Sequence, residues 1–459
     1  MDSNGAQKLR ALRDHVERHR ARHLDLLDRY VATRGVSATG EGVEQAARFA
    51  AELLARVGLD ARVHAGTRHP LVIARSPRRA GRRTVLVYGH YDVQPAGPRE
   101  AWHSDPFRAV VRDGRIYGRG TADNKAQHLA HVLAIEALTE LDGAPPCDMV
   151  VLLDGEEEIG SPSLDADVLR HRDELRADLA LWSDGPVGDP ARPQVTYGVR
   201  GIVLFELRAR GAKRPLHSGN WGGVAPDPAT QLVALLASMR DADGAIAVDG
   251  FLDGVEPPSA EEAALLARFD RSAAAAMEEI GVTRLAPPAS RGIAERLSHH
   301  PTLTINALRT DGGAAGARPV IPADAIAECD ARLVRGQRTA HVIACLQRHV
   351  ARVAPDVQLT VSGTMEPALT PLGSPYGAPI RAGVARATGI EPAVVPALGG
   401  ALPLAPLVDT LGLPCFGIPL ANPDAGNHGP NENIELDRFL DGIVTAATVL
   451  REMAAWTQP

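Results

Sequence analysis

The sequence predicts an α/β protein. A domain with a mostly parallel central sheet flanked by helices is split by an inserted α+β domain with an antiparallel sheet. Three observations carry that expectation. Short continuous apolar runs at residues 71–74, 84–88, 149–153 and 179–182 have the length and texture of strands buried on both faces. An amphipathic helical pattern at 126–141 lies between two of these runs, and strand–helix–strand order is that of a parallel α/β unit. From residue 201 the texture changes to alternating strands, which suit an antiparallel sheet covered on one face.

Taken in order, residues 9–32 read as a helix, with Leu9, Leu12, Val16, Leu24, Leu27 and Val31 at apolar positions. A second helix, 43–57, stops at Gly58 as a C-terminal cap. The helix at 126–141 turns Leu129, Val132, Leu133, Ile135 and Leu138 to the core. The insertion opens with a strand at 201–209 and a helix at 229–239, followed by a Pro/Gly/Ala-rich stretch to about residue 300. Strands at 302–308 and 325–334 close it. In the second, Ile326, Glu328, Asp330 and Arg332 alternate with Ala325, Ala327, Cys329 and Ala331. Helix–strand alternation resumes after 336 and runs to His428. The expected boundaries are therefore 1–199 for the first part of the split domain, 200–335 for the insertion and 336–459 for the second part. No internal repeat is visible.

A length of 459 residues allows two or three domains. A net charge of −7, with both signs mixed along the chain, argues against a nucleic-acid or membrane-surface binder. The basic turn Arg78-Arg79-Ala-Gly-Arg82-Arg83 reads as a solvated loop. Cys147, Cys329, Cys345 and Cys415 are scattered, with no Cys-x-x-Cys pair, as expected of buried thiols in a reducing compartment. The charged N-terminus lacks an apolar signal core, and no run reaches the ~18 apolar residues of a membrane span. A cytoplasmic protein is expected.

In an open α/β sheet, ligands collect at the carboxyl ends of the strands. His90 and Asp92 follow the 84–88 run, Glu157 and Glu158 follow 149–153, Asp184 follows 179–182, and Asp123 precedes the 126–141 helix. With His428 in Gly-Asn-His-Gly-Pro, this set suits a paired-zinc site, since imidazole binds zinc and a carboxylate can bridge two ions. Two ions about 3.5–4 Å apart can activate a water and polarise a carbonyl, which is the chemistry of amide hydrolysis.

The motifs Gly-His90-Tyr-Asp92-Val-Gln-Pro, Trp102-His-Ser-Asp-Pro-Phe107, Gly118-Arg-Gly-Thr-Ala-Asp123-Asn-Lys125, Glu157-Glu158-Ile-Gly-Ser161, Leu216-His217-Ser-Gly219 and Arg332-Leu-Val cover nearly the whole chain. Through them the sequence resembles the superfamily of zinc aminoacylases, carnosinase-type dipeptidases, glutamate carboxypeptidase and succinyl-diaminopimelate desuccinylase. The long insertion and the His90 motif look most like the carnosinase and cytosolic dipeptidase branch.

The resemblance implies two divalent ions per chain, zinc foremost, with cobalt and manganese open. Asp123 would bridge them, His90 and Asp184 completing one ion and Glu158 and His428 the other. Asp92 would fix the tautomer of His90, and Glu157 would be the general base. Glu156 would face solvent. A cis peptide is implied at Asp123–Asn124. His217 would reach the active site of a second subunit and stabilise the oxyanion, which implies a homodimer joined through the inserted, lid-like domains. Arg332 would clamp a substrate carboxylate.

The dipeptidase branch carries Gly-Gly-Ser-Ile-Pro where this chain has Gly-Gly-Ala401-Leu-Pro, and a threonine where this chain has Pro319. Both hydroxyls help hold the substrate's carboxyl end in that branch. Their loss predicts a more apolar pocket and a leaving group other than that of a simple dipeptide. Other histidines read as bystanders: His128 and His131 on a partly exposed helix face, His103 as structural, and His299 and His300 as solvated. Cys415 reads as core. The leading expectation is a zinc amidohydrolase for a dipeptide, N-acyl amino acid or related small amide. The alternatives are an amide-forming or acyl-transfer enzyme using the same site, and a non-catalytic dimeric binding protein.

Overall fold

The computed structural model describes residues 3–287, 291–311 and 319–457. They fall into two compact units, one drawn from Met1–Gly198, Leu369–Pro396 and Pro403–Pro459, the other from Val199–Ala368 and Ala397–Leu402.

The first unit is built on a sheet with the order Asp60–His64, Leu71–Arg75, Asp148–Asp154, Thr84–His90, Leu179–Trp182, Cys415–Gly417, Gln194–Thr196, Ala393–Val395. Thr84–His90 runs parallel to both its neighbours, and Cys415–Gly417 runs parallel to Leu179–Trp182. Asp60–His64, Leu71–Arg75 and Asp148–Asp154 pair antiparallel in turn at one edge. Every residue of Thr84–His90 and Asp148–Asp154 is buried, so these strands have no solvent face and read as unbroken apolar runs.

Helices α1 (Ser3–Arg18), α2 (Arg20–Ala32), α3 (Val43–Arg56) and α4 (Lys125–Asp142) belong to this unit. The single helix expected over 9–32 is interrupted at His19, whose φ of −100° and ψ of 5° leave the helical region. Helix α4 differs more from expectation. Lys125, Gln127, His128 and His131 are all buried on it, together with its apolar face. The partly exposed face expected for His128 and His131 does not exist, because α1, α2 and the helix Leu436–Ala455 pack against α4. His128 instead lies at hydrogen-bond distance from Asn124 and Tyr30, and His131 from Ser183.

The second unit has an antiparallel sheet with the order Thr302–Thr310, Asp324–Leu333, Gly201–Arg210, Gln358–Met365. Ala325, Ala327, Cys329, Ala331 and Leu333 form its buried face. Helices Pro228–Ser238 and Thr339–Val353 cover that face through Leu232, Leu235, Val342, Leu346 and Val350. The unit thus runs past residue 335. The helix–strand pair that follows, expected to resume the split domain, instead adds its strand to this sheet.

The Pro/Gly/Ala-rich stretch up to residue 300, for which the sequence suggests no elements, contains Ala260–Phe269, Ala273–Ile280 and Ile293–His299 as helices. A capping box, Ser259 with Glu262, starts the first of them. His299, expected in solvent, is buried, with Nε2 3.8 Å from Glu262.

Candidate active site

The sheet of the first unit delivers its polar residues to one edge, as the strand order requires. His90 ends Thr84–His90. Glu157 and Glu158 lie in a short 3-10 turn after Asp148–Asp154. Asp184 follows Leu179–Trp182, and Asp123 stands just before α4. His428 comes from a loop and has φ 62°, a backbone conformation uncommon outside glycine. The Asp123–Asn124 peptide is cis. A side chain at Gly89 would place its Cβ 2.7 Å from that of His128, so only glycine lets the His90 strand approach α4 this closely.

Asp123 sits between two groups. Its Oδ1 is 3.1 Å from His90 Nε2, which is also 3.3 Å from Asp184 Oδ2. Its Oδ2 is 3.1 Å from His428 Nε2, which is 3.1 Å from Glu158 Oε2. Glu157 Oε2 lies 3.9 Å from His90 Nε2. The other ring nitrogen of His90 donates to the Asp92 carbonyl at 3.1 Å and lies 3.3 Å from Asp92 Oδ1. A neutral His90 therefore turns the Nε2 lone pair toward two carboxylate oxygens. Asp92 also accepts the backbone N–H groups of Glu157 and Glu158, so one carboxylate orients both the imidazole and the acidic turn.

These contacts set acceptors against acceptors. Among the described residues, no lysine or arginine makes an ion pair with Asp92, Asp123, Glu157, Glu158 or Asp184. Buried charge without a counter-charge is costly. Burial, reinforced by Glu158 and Asp184 against the opposing pull of His90, raises the Glu157 carboxyl well above the usual range. Burial and then Asp123 raise that of Asp184. Glu158 Oε1 is buried without a hydrogen-bond partner among the described residues. Divalent cations fit this donor set on charge and on ligand chemistry alike.

The peptidase family M20/M25/M40 matches residues 86–452. This chain belongs to that family. It is 30% identical to the Cys-Gly metallodipeptidase dug1 of Schizosaccharomyces pombe over 84% of this chain and 83% of the relative. It is 28% identical to the human Beta-Ala-His dipeptidase over 84% of this chain and 78% of that one. Among solved structures, an M20 family metallo-carboxypeptidase from Sulfolobus solfataricus superposes with a TM-score of 0.88 at 28% identity, covering 95% of this chain and 99% of that one. Human carnosine dipeptidase 1 superposes with 0.84 at 25%, covering 98% and 100%. This M20 chain is thus a metallopeptidase-family enzyme of the carnosinase/dipeptidase branch.

The remaining candidates of the M20 chain lie in the second unit. His217 is exposed on a two-residue strand paired with Val320–Ile321. Its Nδ1 accepts the Gly219 N–H at 3.0 Å, so the neutral ring carries its proton on Nε2. The Pro319 carbonyl accepts the Ser218 N–H at 2.8 Å, which puts the missing threonine's position next to His217. Arg332 Nε lies 3.3 Å from Asp330 Oδ1. Ala401 is half-buried in the short segment Ala397–Leu402.

Several residues with a part in these sites escaped sequence reasoning. Glu432 is fully buried and accepts the N–H groups of Gly120, Ala122 and Asp123, with Arg119 Nη1 at 2.6 Å. It shapes the loop that presents Asp123. Gln94 donates to Glu158 and Asn427 to Asp123. Asn427 and Glu432 flank His428 within a few residues, and that proximity was the available signal. Arg200 holds the Gly399 carbonyl with Nε and Nη2, while its Nη1 is buried without a partner among the described residues. Glu156, expected in solvent, is buried and accepts the N–H groups of Arg68, His69 and Ser163. It holds the backbone around the acidic turn.

Proposed function

We propose that this chain is a dinuclear zinc hydrolase that cleaves the amide bond of a dipeptide, N-acyl amino acid or related small amide. The observation that carries the reading is Asp123, whose two oxygens each face a separate histidine–carboxylate pair. His90 and Asp184 would hold one ion and Glu158 and His428 the other, with Asp123 shared between them. When bound, such a pair of ions supplies a Lewis acid and acidifies water at neutral pH; cobalt or manganese suits the same ligands. Glu157 takes the proton of the attacking water and returns it to the leaving amine. A raised proton affinity suits a group that must give the proton back. Asp92 keeps His90 in the metal-binding tautomer.

His217 acts across a homodimer, its Nε2–H directed to the developing oxyanion. The names of the relatives, a Cys-Gly and a Beta-Ala-His dipeptidase, support a substrate with a free carboxylate. Arg332 and Arg200 anchor that carboxylate beside the Gly399–Ala401 segment. Burial and then the Arg332 charge lower Arg200 to about 10, so it stays cationic at neutral pH. Pro319 and Ala401 line the same end without hydroxyl donors. That change favours one second reading, in which an amine displaces water at the acyl group and an amide forms. The unpaired cysteines support a cytoplasmic location.

Mass-spectrometric turnover of dipeptides, β-alanyl peptides and N-acyl amino acids tests the proposal with native, chelated and zinc-restored enzyme. Cleavage that is lost on chelation and regained with zinc is expected. Persistent cleavage without metal overturns it, and products containing an added amine select the second reading.

A further inference from the structure

Away from the Asp123 cluster, a second group of metal-ligating side chains lies where α1 meets α4. His15 lies in the last turn of α1 and His19 at the break that follows it, with ring centroids 4.3 Å apart. Their ligand atoms and one from Glu140, on α4, all lie within 4.8 Å of one another. His15 Nε2 is 3.7 Å from Glu140 Oε2. That nitrogen is buried on a side chain only 3% exposed, and it has no hydrogen-bond partner among the described residues. His19 Nδ1 donates to the His15 carbonyl at 2.9 Å, which leaves Nε2 of the neutral ring as a lone pair. A ring held in this way is the usual arrangement of a metal-binding histidine.

The charges around the group agree. Arg22, on α2, pairs with Glu136, and Arg18 turns its Nε to the Asp14 carbonyl. Glu140 makes no ion pair with lysine or arginine among the described residues. Burial, then His19, holds His15 below its ordinary value, which weakens a proton's competition for its lone pair. His23 continues the same face, 6.1 Å from His19 between ring centroids, but lies outside the triad. A comparable group, His64, His171 and Glu174, is weaker, because Arg75 Nη2 lies 4.0 Å from the same Glu174 oxygen as His64.

We propose that His15, His19 and Glu140 form a peripheral site for one divalent transition-metal ion of the zinc class, clipping the N-terminal helix to α4. Two imidazoles and a carboxylate make a familiar zinc ligand set, with water completing the shell. Helix α4 begins directly after Asp123 and Asn124, so the clip would steady the helix that follows the bridging carboxylate. The inference stands apart from the proposed hydrolase activity.

The test is a calorimetric zinc titration of the metal-loaded full chain after loosely held zinc is removed. One further ion per chain is expected. His19→Ala and Glu140→Gln should each weaken its binding at least tenfold, with catalytic metal content and dipeptide turnover unchanged. His19 is half-buried and Glu140 exposed, so both variants keep the fold, and equal thermal midpoints without added zinc verify this. His171→Ala should leave the titration unaltered. A parent that takes up no further ion, variants that bind like the parent, or loss of the ion only in His171→Ala would each overturn the proposal.

Discussion

Two groups of buried carboxylates, one in each unit, are treated in opposite ways. In the first, Asp123, Glu157, Glu158 and Asp184 crowd around His90 and His428, and no guanidinium or ammonium answers them among the described residues. In the second, Glu262 is just as buried, but Arg335 and the Ser259 cap surround it. Burial raises Glu157; it also acts to raise Glu262, yet Arg335 and the Ser259 N–H outweigh it and bring that carboxyl down to about 2. Neutralised charge of the second kind is architecture. Unneutralised charge of the first kind is unstable unless something cationic completes it. The difference separates a site from a scaffold better than burial or residue type does.

The sharpest way to break the comparison is to change the first unit. Glu157→Gln should lower kcat by roughly a hundred- to ten-thousand-fold, the usual weight of a general base, with both ions retained by elemental analysis. Asp123→Ala should lose metal and activity together, since it removes the one carboxylate that, among the described residues, faces both histidines. Metal loss in Glu157→Gln with retention in Asp123→Ala would reverse the assignment of base and bridge.

Much of this contrast was legible in the sequence. Strands buried on both faces announce themselves as apolar runs, and the polar residue after each run falls at the sheet edge by topology alone. His90, Glu157, Glu158 and Asp184 were legible in that way, whereas Asp123 was placed just before the helix that follows it and His428 rested on its Gly-Asn-His-Gly-Pro motif and the family resemblance. What escaped was burial of polar groups for structural ends. Glu156 and His299 read as solvated, and His128 and His131 as partly exposed, because single-residue polarity does not reveal the partner waiting in another element. The helices between 260 and 299 were hidden by alanine and proline content, although Ser259-Ala-Glu-Glu262 carried a capping signal. The strand at 358–365 has the alternation of a one-sided sheet, and it was masked by the helix before it.

A smaller effect sharpens the comparison from the second unit, where the excess is positive. Arg200 Nη1 lacks a partner beside the segment containing Ala401. If that guanidinium serves a substrate carboxylate, restoring the hydroxyls at Pro319 and Ala401 should strengthen its grip. A hydrogen bond to a charged group contributes ~1.5–3 kcal/mol, so Pro319→Thr with Ala401→Ser should raise kcat/KM for simple dipeptides about tenfold or more. Substrates with an amidated C-terminus should not gain. Equal gains for both would place the hydroxyls away from the carboxylate.

The smallest effect on turnover should come from Glu262, and it tests the scaffold half of the comparison. Its folded pKa of about 2 lies below the ordinary 4.5, so the unfolded chain holds the proton more tightly. Its contribution is then fully present above about pH 4.5 and is lost as the pH falls toward about 2. Glu262→Gln keeps the shape but forfeits the charge opposite Arg335. It should destabilise the fold by ~1–3 kcal/mol at pH 7, read from urea unfolding, and the gap to the parent should close as the pH falls through that window. Turnover at pH 7 and 25 °C should stay within about twofold. A gap that persists at low pH would mean that packing, not the neutralised charge, holds Glu262 in place, and the contrast with the uncompensated acids of the first unit would fail on its structural side.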